Sequence, residues 1–572
     1  MRNINNLLLV SIFTLFFLVT AQSQNKAYPY DIQKKVICEN GAVVSAHVLA
    51  SKAGVAMLKK GGNAIDAAIA TQLALAVVHP SAGNLGGGGF LVARLQNGTT
   101  TTIDYREMAP GKAHRDMYLD EMGNAKFSES QNGHLSSGVP GTVAGLFQSH
   151  QYAKLPFAQL IQPAIDLAAN GFIISEREAR SLNALKNEFL KYNTIIPAFV
   201  NTTNDNQEWK GGDMLIQKDL AATLIRIQHE GAKGFYEGET ASLIVAEMKR
   251  GNGIISLEDL KNYKAITRLP HIFDYKGHTI VGMPMPSSGG LLVHQMMKMI
   301  ESKLKATDGF LSPQAVQLMV EVERRAFADR AEFMGDADFY KVPVAALTNE
   351  KYLNQRMNDF VFGKAGSSEM VKPGSIPIIE SEETTHLSVI DKEGNAVAVT
   401  TTLNNSFGSR TVVGGAGFLL NDEMDDFSIK PGSPNMYGAL GGEANAIFPG
   451  KRMLSSMTPT LVLKNNQPFL IVGTPGGTTI PTSVFQTLVN IIDFNMSTED
   501  AVWQPKFHHQ WMPDRIDLEK GFPITTRKAL EAMGYKLIDR GSIGRTEVIK
   551  VLPNGKFEAI ADNRGEDAAV GW

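Results

Sequence analysis

The C-terminal third of the chain alternates apolar and polar positions over short stretches, a period-two pattern that predicts half-buried strands. Six such stretches form three pairs, and a short polar turn joins the members of each pair. The predicted hairpins join residues 384–390 to 396–403, 460–463 to 469–473, and 547–552 to 556–561. A helix predicted over 482–494 follows Gly476-Gly477 and separates the last two hairpins. This part of the chain is therefore predicted to be rich in sheet.

The chain before residue 384 mostly shows the spacing and end signals of amphipathic helices. An Ala-rich segment over 51–78 is broken at Gly61-Gly62, and Asn63 is placed as the N-cap of its second helix. Further helices are predicted over 163–170, 215–230 and 313–334, each followed by a glycine. Two strands, 90–95 and 99–104, are joined by a turn at Asn97-Gly98. Together the two halves predict an α+β protein in which helical layers enclose packed sheets.

The N-terminal residues have the layout of a signal peptide. Arg2 precedes an apolar run over 7–19, which is too short for a comfortable bilayer span, and Val19-x-Ala21 ends it. We predict a signal peptide over 1–21 and a mature protein that is exported to the periplasm or the cell exterior, with an uncleaved anchor as the alternative. Cys38 is the single cysteine, so no intrachain disulfide can form.

Charge and motifs exclude several classes of function. The formal net charge of the 572 residues is −3 and no long basic run is present, which argues against a nucleic-acid partner. The glycine run 86–89 precedes a strand, whereas a phosphate-binding loop follows a strand and opens a helix. His508 and His509 are adjacent and would point apart on a strand, so we predict no metal site there. We expect no cofactor.

The first predicted hairpin brings three polar side chains to one face. If Lys392-Glu393-Gly394 is a three-residue loop with Gly394 in the left-handed region, then Thr384 lies opposite Thr402. Since side chains alternate with period two, Thr402 and Asn404 project from the same face as Thr384. Thr384 and Thr385 are also ordinary strand residues, and His386 is as well suited to core packing as to chemistry.

A threonine hydroxyl needs a base to act as a nucleophile. A terminal amine has a pKa of about 8, so it is partly neutral near pH 7 and can serve as that base. Cleavage between Glu383 and Thr384 would place the nucleophile and the base on one residue. The preceding segment 362–383 is rich in Gly, Ser, Pro and acidic residues without periodicity, which predicts an exposed stretch suited to cleavage.

Thr384-Thr385-His386-Leu387-Ser388-Val389, followed by Asp391-Lys392-Glu393-Gly394-Asn395, resembles the small-subunit start of γ-glutamyltranspeptidases, which are N-terminal-nucleophile hydrolases. The resemblance continues in order along the mature chain. Its segments are 84–90, 104–110, 137–141, 286–290, 326–330, 421–427, 454–457 and 474–477. Each segment is weak evidence by itself, but eight in sequence are specific.

The resemblance implies a four-layer αββα sandwich and a precursor split into two chains. The large chain would run from about 22 to 383 and be rich in helix, and the small chain would run from 384 to 572. Thr384 would be the nucleophile, freed by autocatalytic cleavage after Glu383, and Thr402 would hydrogen-bond it. Gly476 and Gly477 would form the oxyanion hole, although an ordinary strand-to-helix turn is the alternative for this pair.

The family's donor site can also be carried over by position. It implies that Arg106, Ser455 and Ser456 bind the α-carboxylate of a glutamyl group, and that Asn404, Glu423 and Asp426 bind its ammonium. Tyr437 would be the aromatic residue of a lid over the site. Without the resemblance, Arg106 would be interpreted as a surface ion pair and 421–426 as a solvated acidic loop or a calcium site whose spacing does not fit an EF-hand.

The resemblance implies attack on the γ-amide of glutathione or a related γ-glutamyl compound. The acyl group would pass through a γ-glutamyl ester to water or to an amino-acid or dipeptide acceptor. Two alternatives stay open. One is a cephalosporin or glutaryl acylase of the same fold, and the other is an uncleaved exported protein that binds amino acids.

Overall fold

The structure is a computed structural model that describes residues 29–206, 208–372, 383–430 and 442–572. The predicted signal peptide and Tyr437 lie outside the described residues, and the side chain of Glu383 is not described. Within the described ranges, no helix is long and apolar enough to cross a membrane.

Two antiparallel sheets of seven strands each form the centre of the molecule. Sheet 1 has the order β1-β18-β17-β13-β12-β9-β8, and sheet 2 has the order β19-β2-β10-β11-β3-β4-β7. The strands are β1 (Lys35–Cys38), β2 (Gly41–Ser45), β3 (Gly88–Arg94), β4 (Thr100–Asp104), β5 (Phe172–Ile173), β6 (Met214–Leu215), β7 (Ile266–Arg268), β8 (His271–Tyr275), β9 (His278–Gly282), β10 (Glu383–Asp391), β11 (Ala396–Asn404), β12 (Thr460–Lys464), β13 (Gln467–Gly473), β14 (Phe507–His508), β15 (Ile516–Glu519), β16 (Leu537–Arg540), β17 (Glu547–Val551), β18 (Phe557–Ile560) and β19 (Ala568–Gly571).

Helices cover the outer faces of both sheets. In chain order they are α1 (Val48–Lys59), α2 (Ala64–Val78), α3 (Phe127–Gln131), α4 (Thr142–His150), α5 (Phe157–Asn170), α6 (Glu176–Ala184), α7 (Lys186–Tyr192), α8 (Lys218–Glu230), α9 (Lys233–Tyr236), α10 (Gly238–Arg250), α11 (Leu257–Asn262), α12 (Gly289–Ile300), α13 (Pro313–Phe333), α14 (Val344–Leu347), α15 (Glu350–Arg356), α16 (Thr479–Ile492), α17 (Thr498–Trp503) and α18 (Ile524–Met533).

Three apolar clusters explain the layering. One packs helices such as α2 and α5 against the outer face of sheet 2, for example through Leu387 and Val389. A second packs α12, α13 and α16 against the outer face of sheet 1. The third lies between the sheets and contains Ile390 from sheet 2 and Ile549 from sheet 1. The predicted four-layer αββα arrangement is confirmed.

The three predicted hairpins are confirmed as β10–β11, β12–β13 and β17–β18. Asn63 caps α2 through a capping box, as predicted. The region from 156 to 334, predicted as mostly helical, also contains β5 to β9, and β8 and β9 complete one side of sheet 1. These strands have two to five residues and lie between helices. The alternation of apolar and polar positions in them is too short to be recognised in the sequence.

Candidate active site

Thr384 is the second residue of β10 and faces the space between the two sheets. Gly394 has a φ of +80° and closes the predicted turn, and the register pairs Thr384 with Thr402. Alternation then separates the two faces of β10, since Leu387 and Val389 pack towards the helices while Ile390 packs between the sheets. Thr384 shares the face of Ile390, so its side chain lies at the open end of the inter-sheet core.

His386 is a buried core residue on this same face. Its ring nitrogens lie 2.9 Å from Thr400 Oγ1 and 3.1 Å from Ser388 Oγ. Burial lowers the pKa of His386 to about 3, so the imidazole is neutral at physiological pH. Gly473 on the facing sheet makes room for the ring, because a Cβ there would lie 2.2 Å from a ring carbon. The hydrogen bonds of His386 orient its ring for packing against sheet 1. This arrangement does not suit a catalytic base.

A small cavity brings together most of the residues that the sequence singled out. Thr384, Thr402 and Asn404 from the hairpin contribute to its lining. The other lining residues are Arg106, Glu423, Asp426, Ser455, Ser456, Met457, Gly477 and Ile480. They come from five separate stretches of the chain, so tertiary folding alone creates this cavity.

Arg106 follows β4 and is buried, with 1% of its surface exposed. Its main chain is fixed at both ends, because Arg106 N donates to Asp104 Oδ1 at 2.9 Å and Tyr263 Oη donates to Arg106 O at 2.8 Å. The guanidinium forms ion pairs with Asp426 and with Glu423, whose Oε2 lies 2.6 Å from Nη1. The alternative of a surface ion pair is wrong.

The acidic segment around Glu423 is buried and forms a 3₁₀ turn over Glu423–Asp426. Asn421 holds its start, since the Asn421 amide bonds Gly86 O, Gly138 N and O, and Glu423 N at 2.8–3.0 Å. Burial raises the pKa of Glu423 to about 8, and that of Asp422 to about 7. A solvated acidic loop is therefore the wrong interpretation of this segment. Among the described residues, no group of three or more His, Cys, Asp or Glu side chains could hold a metal ion.

Asn404 links the hairpin to the acidic segment. It adopts a φ of +77°, and its Nδ2 donates to Asp422 O at 3.0 Å. Asn404 N donates to Thr402 Oγ1 at 2.8 Å, so the same residue contacts the predicted partner of the nucleophile. The turn at Asn404 thus sets the distance between Thr384 and the acids.

Ser455 and Ser456 lie on the opposite wall, next to a second buried arginine that the sequence did not single out. Arg330, at the end of α13, donates from Nη2 to Ser456 Oγ at 3.2 Å and from Nε to Ser288 Oγ at 2.9 Å. Ser288 also donates through its N and Oγ to Ser455 O at 2.7 and 2.8 Å. Arg330 and Ser288 therefore fix the two serines of the cavity.

Gly476 and Gly477 lie between β13 and α16, as the sequence predicted. Their φ values are +132° and +55°, and a Cβ on Gly476 would lie 2.5 Å from Thr479 Oγ1. Within the described ranges, neither backbone N–H donates to an acceptor. Two free N–H groups at the start of a helix can stabilise negative charge that develops on a carbonyl oxygen.

The cavity therefore combines two threonine hydroxyls, the backbone of Gly477, one guanidinium and two carboxyl groups. Glu107 is a third acid near the guanidinium, with Oε2 3.4 Å from Arg106 Nη1, and burial raises its pKa to about 8. Its position directly after Arg106 was visible in the sequence, but the direction of its side chain was not. Such a site suits a ligand that carries both a carboxylate and an ammonium.

The two C-terminal histidines have separate partners. His508 lies 2.9 Å from both Thr482 Oγ1 and Gln510 Oε1. His509 Nδ1 accepts from Trp511 N at 3.0 Å, and its Nε2 lies 3.3 Å from Asp514 Oδ1. Burial lowers the pKa of His509 to about 4, which suits a packing role.

Comparisons with known proteins identify the family. A profile of the family described as gamma-glutamyltranspeptidase matches residues 50–572. The glutathione hydrolase proenzyme of Escherichia coli (strain K12) is 46% identical over 538 residues, which cover 94% of this chain and 92% of that protein. The crystal structure of cephalosporin acylase from Bacillus halodurans has a TM-score of 0.83 at 25% identity and covers 97% of this chain and 99% of its own. That of Helicobacter pylori gamma-glutamyltranspeptidase has a TM-score of 0.56 at 42% identity and covers 60% and 97%. The chain belongs to the γ-glutamyltranspeptidase family.

Proposed function

We propose that the protein is a γ-glutamyltransferase and glutathione hydrolase with Thr384 as its nucleophile. One observation carries the proposal. Thr384 lines the same cavity as a buried guanidinium and two acidic side chains, Glu423 and Asp426, which together match the two charges of a glutamyl head group. The substrate class is the γ-glutamyl amides, with glutathione as the expected donor because relatives of this family are named glutathione hydrolases.

The active protein is proposed to be two chains made from one precursor. Cleavage after Glu383 would give a large chain of about 22–383 and a small chain of 384–572. The chain would be exported, and a signal peptide over 1–21 would be removed. These statements rest on the sequence and on family membership, since residues 1–28 and 373–382 are outside the described ranges.

In the proposed reaction, the free amine of Thr384 accepts the proton of the Thr384 hydroxyl. The oxygen attacks the γ-carbonyl carbon, and the N–H groups of Gly476 and Gly477 stabilise the oxyanion. The C–N bond breaks, the proton passes to the leaving amine, and a γ-glutamyl ester forms on Thr384. Water or an acceptor amine then attacks the ester, gives its proton to the Thr384 oxygen, and releases the product.

The cavity's charges give each end of the donor a partner. The empty site pairs Arg106 with Glu423 and Asp426. An entering donor would place its carboxylate against Arg106, Ser455 and Ser456, and its ammonium against Asn404 and the two acids. Each charged group thus exchanges one partner for another of the same sign, which limits the desolvation cost of binding.

The test combines processing with turnover. Purified wild-type protein should give two chains by intact mass, the smaller beginning at Thr384, and the Thr384→Ala variant should stay as one chain without activity. Wild-type enzyme should hydrolyse a γ-glutamyl anilide much faster than a glutaryl anilide, because the glutaryl group lacks the ammonium. A Thr384→Ala protein that still appears as two chains would overturn the assignment of the nucleophile.

A further inference from the structure

A second cavity, of about 170 Å³, lies beside the catalytic cavity. This volume is more than ten times the roughly 10–15 Å³ that a single water molecule needs, so the cavity can hold a small organic group. Its polar lining includes Arg177, Glu178, Ser406, Arg545 and Glu566. It shares none of its lining residues with the catalytic cavity.

Two of its walls are joined to the catalytic residues by very short lengths of chain. Ser406 is two residues after Asn404, which corresponds to at most about 8 Å between their Cα atoms. On the other wall, Arg545 N donates to Thr474 Oγ1 at 2.7 Å, and a Cβ on Gly476 would lie 3.4 Å from Gly544 Cα. The second cavity therefore begins just beyond the proposed oxyanion turn.

The two cavities have different lining residues, so they would hold different ends of a substrate. Arg106, Glu423 and Ser455 line the catalytic cavity, and none of them lines the second one. With the glutamyl head held by those residues and its γ-carbonyl at the glycine turn, the group beyond the scissile amide would lie on the side of the turn away from Arg106. Gly544 and Arg545 contact this turn, and Arg545 lines the second cavity.

The charges of the second cavity favour a carboxylate. Arginine stays protonated at any physiological pH, so Arg177 and Arg545 each carry a positive charge. Arg545 Nη1 lies 3.8 Å from Oδ1 of the buried Asp567, so Arg177 supplies most of the positive charge that faces a ligand. The carboxyl groups of Glu178 and Glu566 are both hydrogen-bonded to Ser175. Glu178 Oε2 accepts from Ser175 N at 2.6 Å, and Glu566 Oε2 accepts from Ser175 Oγ at 2.9 Å. Burial raises the pKa of Glu178 to about 7 and also raises that of Glu566, which reduces the opposing negative charge.

We propose that this second cavity binds the terminal carboxylate of the peptide portion beyond the scissile amide, both in the leaving group of the donor and in an amino-acid or dipeptide acceptor. This inference rests on the proposed function. Arg177, on α6, is exposed at the cavity, and among the described residues its guanidinium makes one hydrogen bond, from Nη1 to Arg564 O at 3.2 Å. Of its five N–H donors, enough remain for a forked contact with a carboxylate.

The experiment measures transfer from γ-glutamyl-p-nitroanilide to two acceptors, glycylglycine and glycylglycinamide, which differ only in the carboxylate. Wild-type enzyme should prefer glycylglycine in acceptor kcat/KM. The Arg177→Gln variant should lose at least fivefold of that preference, and Arg545→Gln should act in the same direction. Glutathione should also lose more kcat/KM than the anilide does, because the anilide leaving group has no carboxylate.

Arg180→Gln is the matched control, because Arg180 lies on the same helix, has a side chain that is 67% exposed, and does not line the cavity. If Arg177→Gln and Arg545→Gln keep the wild-type preference for glycylglycine, the inference is wrong while the proposed function stands. If wild-type enzyme releases no nitroaniline at all, the proposed function fails and this inference fails with it.

Discussion

Replacing Glu423 by glutamine should stabilise the ligand-free protein and weaken its binding of the donor. Burial holds the pKa of Glu423 at about 8, against 4.5 for an unperturbed glutamate. Between these two values, the folded protein keeps a proton that the unfolded chain releases. The carboxyl group therefore costs no stability below pH 4.5, and its cost grows as the pH rises towards 8.

The size of this effect follows from about 1.36 kcal/mol per pKa unit. At pH 7 the cost is about 3 kcal/mol, and at pH 5 it is about 0.7 kcal/mol. A glutamine side chain keeps the shape and carries no charge at any pH. Glu423→Gln should thus raise the free energy of unfolding by up to about 3 kcal/mol at pH 7, which corresponds to about 2–3 °C in melting temperature for a chain of this length.

The assay is thermal unfolding of the ligand-free protein at pH 5 and pH 7, with donor kinetics at pH 8. Loss of the proposed charged partner for the donor's ammonium should raise the donor KM about tenfold. Glu393→Gln, in the exposed turn of the β10–β11 hairpin, is the control and should change neither quantity. A stabilisation that is equal at both pH values, or a lower melting temperature at pH 7, would refute the reasoning.

Three further predictions concern the residues that shape the site. Gly473→Ala should lower the free energy of unfolding by about 1–3 kcal/mol, measured by denaturant titration, because its Cβ would lie 2.2 Å from the His386 ring; unchanged stability would contradict the packing described. Gly476→Ala should reduce kcat by about 10- to 100-fold with little change in KM, since it would disturb the backbone of a proposed oxyanion donor; a change confined to KM would contradict this. Asn421→Leu should cost at least about 3 kcal/mol, because it removes four hydrogen bonds inside the protein; its thermal unfolding can be compared with that of Asn97→Leu in an exposed turn.

The hairpin register was predictable because it depends on local information. A three-residue loop with a left-handed glycine fixes which residues pair, and alternation then fixes which side chains share a face. The meeting of Arg106 with Glu423 depends on segments more than 300 residues apart, and no local pattern encodes it. The family resemblance supplied that neighbourhood.

The role of Arg330 was missed for a different physical reason. Every position of α13 from Ala315 to Ala331 is buried, including Glu321, Glu323 and Arg330. A helix with polar residues on every face normally lies in solvent, so its pattern does not tell which charged side chain points towards a site. Only the packing of α13 against the loop of Ser288 and Ser456 reveals it.

The strand order of the two sheets determines how a cut molecule would come apart. In sheet 2, β10 and β11 lie between β2 and β3, and in sheet 1 the block from β12 to β18 lies between β1 and β9. In each sheet, a block of strands from after residue 384 is thus flanked on both sides by strands from before it, while β19 lies at the edge of sheet 2. Two chains produced by the proposed cleavage cannot separate without disrupting both sheets. Cleavage of the peptide bond therefore leaves the folded protein in one piece. Once unfolded, however, the chains diffuse apart, and refolding becomes a second-order encounter whose rate depends on protein concentration. The precursor has to fold before it is cut, and the mature protein is held in its native state by the barrier to unfolding.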